Sequence, residues 1–190
     1  MNKEKIAGRI SEIIEKLATL RDELTRPGTE TETSAPEKFD KDHPYDPAFF
    51  GWVDLGLPSG RLWADRPAPG YYQFNEAVEV FGEDLPRSWM FVELRDECKW
   101  TWDDDRKGYD VKGPNGNTIF LPALGYQDFD AGGRLRSSGG LSYVGSYGFW
   151  WSFAPYSKTY ARSLYFSATA VYPLYTSYRA SGYAVLPSRE

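Results

Sequence analysis

The side chains able to do acid–base, nucleophilic or metal chemistry are few and scattered. His43 is the only histidine and sits beside Pro44 in a polar segment, so a zinc site or metalloprotease helix that needs two histidines cannot be assembled and a His-based triad is not expected there. Cys98 is the only cysteine; it ends a helical-looking run with no base beside it, which suits a small buried apolar role better than a nucleophile. Asp103, Asp104 and Asp105 form a carboxylate run, ordinarily a solvated loop rather than a cation site. Asp128 and Asp130 border a glycine-rich loop and raise calcium as an option, but no metal ligand set is assigned. Gly113-Pro114-Asn115-Gly116-Asn117 is turn chemistry and not a phosphate loop. No nucleophile–base pair is visible, so the chain is read as a non-enzyme with no catalytic residue and no cofactor.

The chemistry that the sequence does concentrate is that of contact. Residues 145–185 are rich in Tyr, Ser, Ala, Phe, Trp and Gly and lack Asp, Glu, Asn, Gln, His, Ile and Met. Tyr and Trp give stiff, amphipathic contact area, and Ser, Gly and Thr give adaptable hydrogen bonds, as in antibody combining sites. In Leu164-Tyr165-Phe166-Ser167 the alternation separates an inner from an outer face. The expected core is Trp151, Leu164, Phe166, Val171, Leu174 and Val185. The expected display set is Phe149, Trp150, Phe153, Tyr156, Tyr160, Ser163, Tyr165, Ser167, Ala168, Ala170, Tyr172, Tyr175, Thr176, Ser177, Tyr178 and Ser181. Nine tyrosines fall between residues 143 and 183, more than a core can satisfy at their hydroxyls.

Three segments position that stretch. In 1–26, Ile6, Ile10, Ile13, Leu17, Leu20 and Leu24 repeat at alternating spacings of four and three, a heptad seam. It reads as an oligomerisation coiled coil, with an amphipathic helix packed on its own domain as the alternative. Ile at d positions favours a trimer, although Gly8 weakens the first turns. Residues 27–49 are rich in Pro, Thr and charge and read as a linker or a loosely held strap, too polar to build a core. In 50–190 many short strands fall among Gly and Pro turns: WVDLGLPSGRLWA as paired strands, a helix capped by Ser88 with Trp89, Val92, Leu94 and Cys98 inward, and a hairpin with Ile119 and Leu121 inward. DFDAGGRLRSSGG is a polar loop, while ARSLYFSATAVYPL and RASGYAVLP look like strands. The fold class expected is α+β with much irregular backbone.

VDLGLPSGRLWA (53–64), ELRDEC followed by KWTW (93–102), GYDVKGPNGNTIFLPALGY (108–126), GSYGFWWS (145–152) and RASGYAVLP (179–187) stand in an order that resembles the Fibrobacter succinogenes major paralogous domain family of Bacteroidales and their phages. The resemblance covers 50–190 and implies a C-type-lectin-like fold. The late stretch, about 145–185, resembles the variable region of diversity-generating retroelement proteins. There, adenine-directed mutagenesis turns AAC or AAT codons into ones that encode Tyr, Ser, Phe, Ala, Thr, Leu or Gly, but never Glu, Gln, Lys, Met or Trp. Trp150 and Lys158 either stand outside that scheme or derive from other codons. The paired cysteines of the formylglycine-generating relatives and the Glu-Pro-Asn sugar site of calcium-dependent lectins are both missing, so neither activity carries over.

The formal net charge of −5 argues against nucleic acid as a partner, since phosphate contacts need clustered Lys and Arg. No apolar run approaches a membrane span, and the N-terminus does not read as a signal peptide. Together these features lead to a display protein that binds a protein or glycan receptor, with a phage receptor-binding component as one setting for it. The alternative is an invariant structural or adhesive module with its aromatics in an oligomer interface.

Overall fold

Glycine-assisted reversal begins the domain: Gly56 and Gly60 take φ of 69° and 68°, conformations that favour glycine, and Gly60 N–H donates to Leu57 O at 2.9 Å. That turn pairs β1 (Trp52–Asp54) with β2 (Leu62–Ala64), antiparallel, as the sequence predicts. The computed structural model describes residues 37–129 and 140–190, which belong to the unit Glu37–Glu190. The coiled-coil expectation for 1–26, the linker residues 27–36, Asp130 and most of the 128–140 loop lie outside the described residues.

Two helices follow β2. In α1 (Phe74–Phe81), Glu76 accepts the Gln73 N–H at 3.2 Å, and Phe74, Ala77 and Phe81 are buried at spacings of three and four. In α2 (Ser88–Glu97) the inner face is Met90, Phe91 and Leu94, continued by Cys98. Trp89, expected inward, is 50% exposed, because the stripe begins one residue later. Ser88 is the first helical residue and Arg87 occupies the cap. Cys98 then turns extended and leads into β3 (Lys99–Asp103), which pairs with β4 (Gly108–Lys112) and through it β5 (Thr118–Pro122). The Pro-Asn-Gly turn closes this last hairpin with Gly116 at φ 93°, and Ile119 and Leu121 point inward as expected.

β6 (Tyr126–Gln127) pairs with β7 (Leu141–Ser142), and the largest sheet then runs β10-β9-β8. It comprises β8 (Tyr147–Pro155), β9 (Tyr160–Ser167) and β10 (Ala170–Tyr178), all antiparallel. ARSLYFSATAVYPL is therefore two strands and not one: it reverses at Ala168-Thr169, a pair without the Asn-Gly or Asp-Gly signature that flags a two-residue hairpin. RASGYAVLP is not one strand: Arg179–Ser181 form a turn in which Ser181 N–H donates to Tyr178 O at 3.0 Å, and the residues after it make single bridges, Gly182 to Gln127, Tyr183 to Tyr72 and Ala184 to Trp150. It leads to β11 (Ser188–Arg189), which closes antiparallel on β2. Among the described residues the class is α+β, with mostly antiparallel strands and two short α-helices.

Residues 37–49, which read as linker in the sequence, are part of this packing. Phe39 is buried, its ring 5.6 Å from Tyr45, 5.3 Å from Phe49 and 6.2 Å from Phe81. Tyr45 also donates to Asp84 at 2.8 Å. Three aromatics amid polar residues, Phe39, Tyr45 and Phe49, dock a strap whose average composition looks solvated.

Candidate binding surface

Residues directly opposite in a ladder share a face, so the register of β8, β9 and β10 sorts the late aromatic stretch into two sides. On one side lie Phe149 with Tyr165, Tyr165 with Tyr172, and Trp151 with Ser163 and Tyr175. On the other lie Trp150 with Leu164, Phe166 with Val171, Arg162 with Thr176, and Tyr160 with Tyr178.

The first side carries a continuous run of rings from core to solvent. Trp151 stacks on Tyr183 at 4.5 Å, Tyr183 lies 4.9 Å from Phe149, and Phe149 lies 5.0 Å from Tyr165. Tyr165 meets Tyr175 at 4.8 Å and stacks on Tyr172 at 5.7 Å with planes 15° apart. Below it Trp151 donates its indole N–H to Tyr72 O at 2.7 Å, which fixes the inner end. The run extends through Tyr147 (5.6 Å from Tyr165), Tyr143 and Tyr126. These last three fall outside the expected display set. Tyr143 and Tyr147 stand just before and just inside the composition-defined edge at 145, four residues apart, and that spacing is the signal the sequence offers for them.

The second side has a smaller exposed group. Tyr160 and Tyr178 lie 4.5 Å apart. Arg162 sits 4.3 Å over the ring of Tyr156 and donates through Nη1 to Leu174 O at 2.9 Å and to Thr176 Oγ1 at 2.7 Å. A hollow of about 570 Å³ adjoins this group, lined in part by Lys158, Tyr178, Arg179 and Ser181.

Tyr143, Tyr156, Tyr172, Tyr175 and Tyr178 are 43–60% exposed. Ala168 is also exposed, while Phe153, Tyr160, Tyr165, Ser167, Ala170, Thr176 and Ser181 are partly so. Four residues expected on the outer face are buried: Phe149, Trp150, Ser163 and Ser177. Trp150 shares the side of Phe166, whose ring packs edge-on near Trp100, Trp102 and Tyr109. Phe149 is closed over by Tyr126 and Tyr183. Ser163 and Ser177 hydrogen-bond each other at 2.8 Å, and burial pushes the phenol of Tyr183 up to about 12. Strand alternation alone sends both serines outward; Tyr183, stacked on Trp151 of the same side from a distant part of the chain, is a long-range feature. Leu174, expected in the core, is 49% exposed. A bulge between Tyr172 and Tyr175 shifts the phase, so Pro173 is buried beside it. Trp151, Leu164, Phe166 and Val185 are buried as expected.

Several of the titratable groups singled out in the sequence have local settings among the described residues. Burial, then Glu93 and Glu97, pushes the Cys98 thiol up to about 11. Asp103 accepts the N–H groups of Asp105 and Arg106 and pairs with Arg106 Nε at 2.6 Å, which holds its carboxyl below the usual range. Asp104 accepts from the Trp102 indole at 2.9 Å. His43 is exposed, 3.5 Å from Asp40. Among the described residues no three His, Cys, Asp or Glu side chains gather to hold a metal ion, and no helix is long and apolar enough to cross a membrane.

No family model, no curated protein and no solved structure matches the chain.

Proposed function

We propose that the chain is a ligand-binding display protein of the C-type-lectin-like kind, a variable protein of a diversity-generating retroelement whose late Tyr/Ser-rich surface contacts a receptor. The observation that carries the reading is the ring run from buried Trp151 to exposed Tyr172 and Tyr175. Its inner members are fixed by packing, and its outer members present large rigid faces. Such an arrangement tolerates exchange at the outer positions while the frame beneath stays constant, and exposed aromatic clusters of this extent ordinarily mark contact surfaces. The 1–26 heptads would make the surface multivalent, so that weak single contacts add into avidity.

Stability of tyrosine variants tests this reading against an invariant self-interface. Tyr175→Ala and Tyr178→Ala are each expected to cost about 1 kcal/mol or less, a fall in melting temperature of about 2–4 °C, with the assembly state unchanged. A fall beyond about 8 °C, or loss of self-association on removing either ring, would instead place these tyrosines in an oligomer interface.

A further inference from the structure

The candidate surface differs in charge from the rest of the molecule. The whole chain has a formal net charge of −5, yet 145–185 holds three cations, Lys158, Arg162 and Arg179, and no carboxylate. Among the described residues none of the three forms an ion pair with an acidic side chain. The cations nearer the first aromatic side are neutralised instead, Arg95 by Asp96 at 2.7 Å and Lys107 by Asp104 at 4.0 Å. The three cations of the late stretch gather about the second group. Arg179 N–H donates to Thr159 O at 2.9 Å, and its Nε donates to Tyr160 O at 3.2 Å. Lys158 and Arg179 line the same hollow, whose wall also includes Asp128. Arg162 is held by Tyr156, Leu174 O and Thr176, and its remaining N–H groups have no partner among the described residues.

We infer that this Arg162-centred, tyrosine-flanked group receives carboxylates of an acidic polypeptide, a deepening that rests on the display reading above. A guanidinium fixed by a ring face and a carbonyl loses little freedom on binding, and its free N–H groups suit a carboxylate. The positive patch on an acidic chain selects for an oppositely charged partner. A polypeptide is favoured over a glycan by what 145–185 lacks. Sugar hydroxyls need acceptors as well as donors, and 145–185 has no Asp, Glu, Asn or Gln. Hydroxyls and Asp128 on the hollow wall are the side-chain acceptors there, fewer than the cationic donors call for in a neutral sugar site.

A random peptide library panned against the full chain, alongside neutral and uronic-acid polysaccharides, tests the inference. Peptides rich in Asp and Glu are expected to be enriched. A synthesised peptide from that pool should bind about tenfold more weakly to Arg162→Gln, and weaken as salt rises. Should Arg162→Gln fold poorly, the salt dependence on the unaltered chain and the Lys158→Gln variant separate the same outcomes. Enrichment of neutral or basic peptides that depend on Tyr172 and not Arg162 would overturn the acidic partner and leave the display reading standing. Binding to the uronic-acid polymer with no acidic peptide selected would overturn the polypeptide assignment. Failure to enrich any peptide or retain any glycan would sink both.

Discussion

Trp150 and Tyr178 show how differently two aromatics of one stretch are used. Trp150 is fully buried and Tyr178 more than half exposed. Trp150→Ala is expected to cost about 3–5 kcal/mol, read as a shifted denaturation midpoint, against about 1 kcal/mol or less for Tyr178→Ala. Equal costs would contradict the division into frame and outer face. Tyr183 adds a pH signature. Burial holds its phenol at about 12 in the fold, against about 10 in an unfolded chain. A group raised on folding contributes stability that is complete below the unfolded value and is lost as pH climbs through the folded one. Denaturation midpoints should hold from neutral pH to about 10 and then fall towards about 12, with Tyr45 and Tyr72, also raised by burial, steepening the decline. Tyr183→Phe should flatten part of that slope; an unchanged profile would mean that its hydroxyl is not held by the packing.

The elements legible in the sequence are those with local signatures. The Leu57–Gly60 turn, the Pro-Asn-Gly hairpin and the inward Ile119 and Leu121 depend on turn residues and a period of two, and both are visible within a few positions. What is not legible depends on distant chain. Ser163 and Ser177 are buried in a bond to each other across two strands, and Leu174 is turned out by a bulge at Pro173, a residue that signals an edge strand or bulge but not which neighbour turns outward. Alternation along the stretch suggests one display face, whereas the register divides its members between two sides of the β8–β10 sheet with β10 at the edge. The strap at 37–49 is a further case: its mean composition is that of a linker, but Phe39 anchors it. Phe39→Ala is expected to destabilise the domain by about 3–5 kcal/mol, measured by chemical denaturation. A loss under about 1 kcal/mol would return the strap to the status of linker.

At the scale of the molecule, a fixed α+β frame carries an aromatic surface proposed to vary, and a heptad segment would gather several copies of it. Deleting residues 1–26 is expected to reduce the solution mass from an oligomer, a trimer by the Ile pattern, to a monomer while leaving the melting transition of the remainder in place. An assembly unchanged by the deletion would shift self-association to the domain itself. Programmed variation of the late surface meets its sharpest test in sequencing the coding region across a natural population. Substitutions should concentrate after residue 145 and at outward positions such as Tyr156, Tyr165, Tyr172, Tyr175 and Tyr178, with Trp150, Trp151, Leu164 and Phe166 constant. Substitutions spread evenly over 50–190, or striking the buried and exposed positions of 145–185 alike, would contradict it.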